Sequence, residues 1–467
     1  MPPSPPPPRP PTPPSILYHD ASFTTILLDI PKSLSEAQQQ QKCLLLPPTT
    51  GVSPQFLAPP GPTTPFPTPE PKTPAARQRV LERIPREQRE RDELIRELVG
   101  GALEEVGRVW KGGWCLERVG EGVEGMGKSE GEEEVGKKRE NTTEENNDND
   151  KNPATTINNT GYSIILNPTH TFLPSFTTLP PGTTIPVQNP HPHSTHLTLF
   201  PPEKTYTIPP QSHFLPHTLT PSIQTLLPTL LTPYNNNPRY THILLDPPYP
   251  NRSASHSSSY LTPPSSSQTT PPLTLFQNFL IENPEVLAPE AVIAIWVTNS
   301  ARARRQAREF LEGVGAGVGG VVEEWVWVKV TQGGLPVVGL GGVWRRGWEV
   351  CLVARVGGGV GVGEGNGGGG GGGSGSSTNR EESTNVSEPP PCKRRIIIAV
   401  PTFHSQKPSL AYLLPRLFPV PSSASPNGDD QEEGKFMGLE VFARNLSAGW
   451  FSVGDECLKF NEDVYWG

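Results

Sequence analysis

A short apolar run at residues 242–245 leads directly into the tetrapeptide Asp-Pro-Pro-Tyr at residues 246–249. An apolar run of this length that is bounded by turn residues predicts a buried β-strand. Residues 291–299, an apolar run with a polar end, and residues 321–332 predict two more strands, and a helix is predicted between them at residues 302–312. This alternation predicts an α/β fold, in which ligands bind at the carboxyl ends of the buried strands.

The tetrapeptide is suited to holding a planar amine. The exocyclic amine of adenine is a poor nucleophile because its lone pair is delocalised into the ring, so an enzyme gains by accepting hydrogen bonds from both N–H groups. Asp246 supplies one acceptor, and the carbonyl of Pro247 or Pro248 supplies the second on a backbone that the two rings stiffen. Tyr249 then stacks on the base. Because 59 of the 467 residues are proline, a chance turn is the alternative interpretation.

Five blocks of residues, taken in order, carry a resemblance to a known family. After the Asp-Pro-Pro-aromatic strand come Trp-Val-Thr-Asn at 296–299, Glu-x-x-Trp-x-Lys-x-Thr at 324–331, His-Ser-Gln-Lys-Pro at 404–408 and Leu-Glu-Val-Phe-Ala-Arg-Asn at 439–445. This order resembles the eukaryotic adenosine-N6 methyltransferase family, in particular its methyltransferase-like protein 4 branch in fungi. The resemblance implies a Rossmann-like α/β methyltransferase sheet with permuted motif order, in which the catalytic strand precedes the cofactor-binding strand.

The same resemblance implies S-adenosylmethionine as methyl donor and adenine in RNA or DNA as acceptor. It places the catalytic motif at residues 246–249. It also implies that Lys407 holds the methionine carboxylate of the cofactor and that Arg444 and Asn445 bind the cofactor ribose and tail. Glu440 is either a further cofactor contact or a paired core carboxylate.

Two departures from the family pattern concern the base and the cofactor. Tyr249 stands where the family usually has tryptophan, but it keeps an aromatic face for stacking. The expected Gly-Asn-Glu reads Gly454-Asp455-Glu456, which replaces an amide with an acceptor-only carboxylate. Asp455 and Glu456 are therefore predicted to contact the cofactor, and Asp455 can only accept hydrogen bonds where an asparagine would also donate them.

Four residues are predicted to contact the nucleic acid. Asn251 and Arg252 match the family in a loop that is richer in serine than in relatives. Arg345 and Arg346, followed by Glu349, stand where the family has a different sequence of basic residues. The resemblance carries these assignments.

The predicted organisation has a foldable core and several polar or glycine-rich inserts. It comprises a disordered tail at 1–14, an N-terminal extension at 15–115, an acidic disordered insert at 116–158, and a methyltransferase domain at 159–467 that is interrupted by a Gly-rich insert at 357–391 and another insert at 421–435. Within the extension the pattern predicts a strand followed by a helix at 15–45, a Pro/Thr linker at 47–75, and a helical stretch at 76–110 that breaks near Pro85. Its predicted apolar face consists of Leu81, Ile84, Leu94, Leu98 and Leu103.

Charge is unevenly distributed along the chain. The net charge is −8, and residues 116–150 carry 12 acidic and 5 basic side chains, so the remainder is nearly neutral. Affinity for phosphate must then come from local patches, such as the arginines at 302–308 or Arg345 and Arg346. The arginines at 302–308 equally fit a solvated helix face.

The spacing of the cysteines and the length of the apolar runs limit which classes of protein the sequence can encode. Five cysteines lack C-x-x-C spacing, so no zinc site, other metal site or disulfide framework is predicted. Neither a signal peptide nor a run long enough to cross a bilayer is found in the sequence, which predicts no membrane partner and a reducing compartment. The resemblance implies the nucleus, with the cytoplasm as the alternative.

Two rival functions stay open at this point. One is a catalytically inactive family member that binds RNA or a partner subunit, which Asp455 and the altered segment at Arg345 and Arg346 favour. The other is methylation of a protein amide, for which a closely similar motif commonly begins with asparagine rather than with an acid such as Asp246.

Overall fold

The structure is a computed structural model. It describes residues 12–39, 54–118, 163–176, 185–220, 224, 227–231, 239–249, 270–315, 320–357, 392–403, 406–419 and 437–467. The predicted insert at 357–391 apart from Gly357, the whole insert at 421–435, and most of the tail at 1–14 and of the insert at 116–158 lie outside these residues.

The described residues contain strands and helices throughout. The strands are β1 (Ile16–His19), β2 (Thr25–Leu28), β3 (Ile164–Ile165), β4 (His170–Pro174), β5 (Val187–Gln188), β6 (Thr195–Phe200), β7 (Lys204–Ile208), β8 (His213–Leu215), β9 (Tyr240–Leu245), β10 (Leu287–Val297), β11 (Val321–Lys329), β12 (Trp348–Arg355), β13 (Lys393–Ala399), β14 (Gly438–Val441) and β15 (Trp450–Val453). The α-helices are α1 (Ile30–Ala37), α2 (Pro74–Glu82), α3 (Arg86–Val109), α4 (Leu227–Leu231), α5 (Pro272–Glu282), α6 (Ala301–Gly313) and α7 (Leu413–Leu417).

A mixed sheet of twelve described strands forms the centre of the molecule. Its order is β1-β2-β13-β11-β12-β10-β9-β14-β15-β8-β5-β3, and β4, β6 and β7 form a separate small sheet. Strands β10, β9, β14, β15 and β8 are parallel neighbours, whereas β12 runs antiparallel between β10 and β11. Strand β14 therefore lies beside β9 although it follows β9 by almost 200 positions in the chain. This arrangement confirms the predicted α/β class with its permuted order.

Helices cover both faces of the large sheet. Strand β9 is buried at every position, including the polar Thr241 and His242, and the apolar run at 243–245 predicts this burial. Alternate residues point to opposite faces: Ile243 and Leu245 pack with α3, α5 and α6, whereas Leu244 packs with α1 and α7. The residue after β9 therefore emerges at the edge of a sheet that is buried on both sides.

The N-terminal segments pack into this same architecture. Strand β2 pairs in parallel with β13, and Asp29 caps α1 by accepting a hydrogen bond from the Lys32 N–H at 2.9 Å. The described part of the predicted linker is ordered against the catalytic half, since Phe56 is 1% exposed and its N–H donates to Ser35 Oγ at 2.9 Å. Residues 54–70 are called the crossing segment below.

The apolar face predicted for the stretch at 76–110 was wrong. The helix break near Pro85 is present, because α2 ends at Glu82 and α3 begins at Arg86. However, Leu94 and Leu98 are 37% and 38% exposed. The buried face of α3 consists of Asp92, Ile95, Val99, Ala102 and Val106. These positions recur every three to four residues, and Ile95 and Val99 stand one residue further along the chain than Leu94 and Leu98, while Leu103 is partly buried against the core.

Candidate active site

An open cleft lies at the carboxyl edge of the sheet, beside the ends of β9 and β14. Its empty volume is about 450 Å³, including open solvent at the mouth. The lining residues are Leu244, Asp246, Trp296, Gln406, Lys407, Pro408, Ser409, Leu410, Glu440, Phe442, Arg444, Asn445 and Phe460. They come from three strand ends and from the segment after β13, so the cleft brings together residues that lie far apart in the chain.

Asp246 occupies the position that the sheet geometry predicts for a functional acid. It follows the last residue of β9, and its backbone N–H donates to the carbonyl of Val441 on β14 at 3.3 Å. Its side chain is 26% exposed, and Oδ1 lies 3.4 Å from the Lys407 ammonium. The carboxylate is therefore held at the cleft wall while it still reaches solvent.

Two lysines and two carboxylates form a continuous ion-pair chain beside the cleft. Lys407 Nζ lies 3.0 Å from Glu349 Oε2, and Lys329 Nζ lies 2.5 Å from Glu349 Oε1. Burial alone would raise the pKa of Glu349, but contacts and hydrogen bonds from Lys407 and Lys329 lower it to about 2. Glu349 is thus charged at neutral pH, and it fixes the position of Lys407 relative to Asp246.

The pKa of Glu440 is shifted upwards, in the opposite direction from the pKa of Glu349. It lies inside β14, the strand next to β9, and it lines the cleft. Burial, and in second place the negative charge of Asp246, raise the pKa of Glu440 to about 8. Glu440 is therefore largely protonated at neutral pH and can donate a hydrogen bond, as a buried acid near another acid is expected to do.

We expect the Glu440 pKa to appear in the pH dependence of stability. Because the folded-state pKa lies above the ordinary value of 4.5, the contribution is fully present below pH 4.5 and is lost as pH rises towards 8. The thermal unfolding midpoint should therefore fall over this range in the native chain and fall less in Glu440→Gln. Differential scanning calorimetry measures both profiles.

The matched control for this experiment is Glu282→Gln, at the exposed end of α5. It should reproduce the native pH profile. Parallel profiles for the native chain and Glu440→Gln would show that Glu440 titrates normally.

The backbone at the end of β14 is locally strained. Phe442, which lines the cleft, has a φ of 63°, a region that bulky residues rarely adopt. A Cβ at Gly454 would lie 3.0 Å from the carbonyl oxygen and 3.1 Å from the nitrogen of Ala443. Glycine at 454 therefore lets the turn after β15 pack directly on the strained backbone, and such strain is typical of ligand sites.

The predicted cofactor residues around this turn have different surroundings. Arg444 Nη2 lies 2.7 Å from Glu456 Oε2, and Lys459 pairs with the other oxygen of Glu456 at 2.7 Å. Asn445 lines the cleft next to Arg444. Asp455 is exposed and accepts a hydrogen bond from the Glu456 N–H at 3.1 Å. Glu456 therefore positions Arg444 at the cleft, whereas Asp455 and Glu456 do not themselves line it.

The rest of the catalytic motif faces a different environment. Tyr249 packs against the core on the side of α3, α5 and α6, and its buried hydroxyl has no hydrogen-bond partner among the described residues. Burial first, and then the charge of Asp246, raise its pKa. Pro247 is buried and Pro248 is half-buried. The structure thus brings Asp246 to the cleft and keeps the Tyr249 ring within the adjoining core.

The predicted nucleic-acid residues are dispersed. Asn251 and Arg252 lie outside the described residues. Arg346 is buried against α3, where its Nη2 lies 2.8 Å from Asp92 Oδ2, while Arg345 is exposed. The structure thus gives Arg346 a contact between α3 and the loop before β12, and it leaves Arg345 at the surface.

The arginines of α6 divide between core and surface. Arg304 is buried in an ion pair with Glu324 of β11 at 2.7 Å, and Arg308 reaches the same carboxylate at 3.6 Å. Arg302 and Arg305 are exposed. The predicted patch is therefore partly a structural contact between α6 and the sheet.

Sequence reasoning gave no role to Gln406, although it stands directly before Lys407. Gln406 is 2% exposed and lines the cleft. Its Oε1 accepts a hydrogen bond from Thr402 Oγ1, whereas its buried Nε2 has no partner among the described residues. A buried amide donor without an acceptor is costly, so this one is suited to a ligand oxygen.

Two further observations concern metal ligands and membrane spans. Within the described ranges, no three His, Cys, Asp or Glu side chains are grouped so that they could hold a metal ion. Among the described helices, none has the length and apolar character needed to span a membrane.

Comparison with known proteins agrees with this geometry. A model of the MT-A70 family matches residues 240–360, which begin at β9 and extend past β12. The N6-methyladenosine RNA methyltransferase MTA1 of Cryphonectria parasitica is 35% identical over 234 residues, 49% of this chain and 55% of that protein. The chain thus spans about half the length of this relative.

Two more relatives extend the comparison. The N6-methyladenosine RNA methyltransferase MTA1 of Pyricularia oryzae is 26% identical over 469 residues, which is 96% of each chain. The N(6)-adenine-specific methyltransferase METTL4 of Homo sapiens is 30% identical over 263 residues, 56% of this chain and 44% of that protein.

The sheet order, the acid that follows β9 and the polar cleft beside it define a Rossmann-like α/β methyltransferase fold. Within that class, residues 240–360 match the MT-A70 family, and the chain is similar to relatives named as N6-methyladenosine RNA and N(6)-adenine-specific methyltransferases.

Proposed function

We propose that this chain transfers a methyl group from S-adenosylmethionine to the exocyclic N6 amine of adenine in RNA. The observation that carries the proposal is the position of Asp246, a half-exposed carboxylate at the carboxyl end of a central strand and on the wall of the cleft. The names of the fungal relatives specify RNA, and they support RNA as the first acceptor to test.

The donor set of the cleft fits S-adenosylmethionine. Lys407 offers a cation to the methionine carboxylate, Gln406 offers an unused amide N–H, and Trp296 offers an aromatic wall. Glu440, Arg444 and Asn445 are polar groups suited to the ribose and tail. When bound, the cofactor supplies an electrophilic methyl group.

The protein residues act on the acceptor amine. Asp246 accepts a hydrogen bond from one N–H of the amine, and a carbonyl of Pro247 or Pro248 accepts a hydrogen bond from the other. These two hydrogen bonds orient the nitrogen for in-line attack. The amine proton leaves after transfer. Adenine in a duplex keeps its amine paired, so the acceptor base must be unpaired or flipped out.

The experiment that tests this proposal is methylation in vitro. The purified chain is incubated with S-adenosylmethionine and either single-stranded RNA or DNA of matched sequence, and the nucleosides are quantified by mass spectrometry. We expect N6-methyladenosine in the RNA sample. Product in DNA alone would identify DNA as the acceptor. No product in either sample would favour the alternative of a catalytically inactive protein that binds RNA or a partner subunit.

Gln406 gives an independent prediction for the cofactor. Gln406→Glu keeps the oxygen that accepts from Thr402 but replaces the unused donor with an acceptor. We expect affinity for S-adenosylmethionine to fall about tenfold, because one hydrogen bond contributes roughly 1 kcal/mol and a charged mismatch costs more. Isothermal titration calorimetry measures this, with Gln78→Glu on the exposed face of α2 as control. Native affinity in Gln406→Glu would show that Nε2 does not reach the cofactor.

We further propose that the protein works in the nucleus. This proposal rests on the resemblance to the eukaryotic family and not on a basic import signal in the described residues. Fluorescence microscopy of the tagged full-length chain tests it, and exclusion of the tag from nuclei would contradict it.

A further inference from the structure

The loop that joins β11 to β12 and the crossing segment, which contact each other, both expose large apolar side chains. Phe66 is 51% exposed, Leu335 57% and Trp344 53%. Isolated exposed apolar residues are common, but several on adjoining segments indicate an interaction surface. Arg345 is exposed next to Trp344. We call Phe66, Leu335, Trp344 and Arg345 the edge platform.

The crossing segment holds the backbone of this loop. The Phe66 N–H donates to the carbonyl of Val337 at 2.8 Å. Four residues further on, the carboxylate of Glu70 accepts from the N–H groups of Val343 at 3.0 Å and Trp344 at 3.5 Å. Phe66 and Trp344 are therefore tied to the same stretch of loop.

Helices α2 and α3 hold the loop from the other side. Arg77 Nη2 donates to the Gly341 carbonyl at 2.6 Å, and Arg96 Nε donates to the Leu340 carbonyl at 3.0 Å. Arg346 adds its ion pair with Asp92. The backbone is thus fixed while the aromatic side chains stay exposed, which lowers the entropy cost of binding a ligand on them.

The base of the loop adjoins the candidate catalytic centre. The Lys329 N–H donates to the Gly347 carbonyl at 2.9 Å, so the two ends of the loop meet at this pair. The Lys329 side chain then contacts Glu349, which contacts Lys407, which contacts Asp246. The base of the loop that carries the edge platform is therefore connected to Asp246 through three ion pairs.

We propose that the edge platform binds unpaired RNA next to the target adenine, with Trp344 and Phe66 stacking on flanking bases and Arg345 contacting a phosphate. This inference rests on the proposed function and deepens it by naming the surface that holds the nucleotides beside the target adenine. Among the described residues, neither ring packs on another aromatic ring. Unstacked bases bind to exposed aromatic side chains, and arginine adds a phosphate contact.

A protein partner fits these observations less well. A stable protein interface buries about 1,200–2,000 Å². Three half-exposed side chains present only a few hundred Å² in total, since a large aromatic residue buries roughly 150–250 Å² when fully covered. An exposed arginine beside an aromatic ring, close to the centre that would hold an adenine, matches RNA.

The test measures RNA affinity by fluorescence anisotropy with a labelled single-stranded oligonucleotide that contains one adenosine. We expect Trp344→Ala and Phe66→Ala each to raise the Kd for RNA about tenfold, which is the usual effect of losing one stacked base. Trp344→Tyr should restore most of the affinity because it keeps an aromatic face. Phe172→Ala, at a 40% exposed position on the small sheet, is the control and should match the native chain.

The salt dependence of RNA affinity distinguishes the roles of the edge-platform residues. Arg345→Ala should reduce the magnitude of the slope of log RNA affinity against log salt concentration by about one, because one phosphate contact is lost. Trp344→Ala should leave this slope unchanged. Affinity for S-adenosylmethionine should be native in all these variants. Equal RNA affinity for the native chain, Trp344→Ala and Phe66→Ala would overturn the edge platform.

The outcomes for the platform and for the proposed function are distinguishable. Native RNA affinity in Trp344→Ala, together with normal methyl transfer by the native chain, overturns the platform and leaves the function in place. Lower RNA affinity in Trp344→Ala, together with no methyl transfer to RNA by the native chain, supports the platform and removes the function. If sedimentation shows a dimer that Trp344→Ala dissociates, the surface binds a second copy and the inference is overturned.

Discussion

Asp246→Ala is expected to lower methyl transfer by about 1000-fold, the upper end of what removal of one positioned hydrogen-bonding group costs an enzyme. The variant should still fold, because Lys407 keeps its contact with Glu349 at 3.0 Å and β9 is buried by its apolar residues alone. Mass spectrometry of methylated nucleosides under single-turnover conditions measures the loss. Cofactor binding should stay largely intact in calorimetry.

A second readout measures the electrostatic influence of Asp246 on Glu440. The charge of Asp246 contributes to the raised pKa of Glu440, so Asp246→Ala should lower that pKa and weaken the pH dependence of stability described above. Glu282→Gln should change neither measurement. Undiminished turnover in Asp246→Ala would refute the assignment of the catalytic acid.

The central strands were predictable because their sequences leave few alternatives. The apolar stretches at 243–245, 291–297 and 325–328, which lie within β9, β10 and β11, have no polar residue, and a strand segment of this kind is expected to be buried on both sides. The helix predicted at 302–312 is present as Ala301–Gly313, with Ser300 Oγ accepting from the Ala303 N–H at its start. Once these elements are placed, the position of Asp246 at the carboxyl edge follows.

The ion-pair chain could not be predicted from the sequence alone. Lys329, Glu349 and Lys407 come from three different segments, and only the pairing of β11 with β12 and β13 brings them together. The same holds for Arg346, whose partner Asp92 lies on α3. Sequence spacing gives no information on contacts that depend on sheet order.

The crossing segment shows a different limit. Its proline and threonine content is typical of a linker, but Phe56 is buried among the rings of Phe403, Phe460, Tyr465 and Trp466. A Cβ at Gly61 would lie 2.4 Å from Val400 Cγ1, so the absence of a side chain permits this close approach. Composition alone does not distinguish a free linker from one that packs on a neighbour.

Lys407→Met is expected to weaken binding of S-adenosylmethionine by about 10- to 100-fold, because hydrogen bonds to charged groups contribute roughly 1.5–3 kcal/mol. The Lys407 side chain is only 18% exposed, which limits screening by water. Calorimetry measures the affinity, and Lys111→Met, at an exposed position after α3, is the control.

The same variant also removes one of the two cations that lower the Glu349 pKa, so a fall in stability accompanies the binding effect and the two must be separated. In a Glu349→Gln background, the stability cost of Lys407→Met should shrink, because residues in contact are energetically coupled. The effect on cofactor affinity should persist, since Lys407 keeps its contact with Asp246 at 3.4 Å in that background. If both effects vanish in the Glu349→Gln background, Lys407 acts only as a structural partner of Glu349 and not as a cofactor ligand.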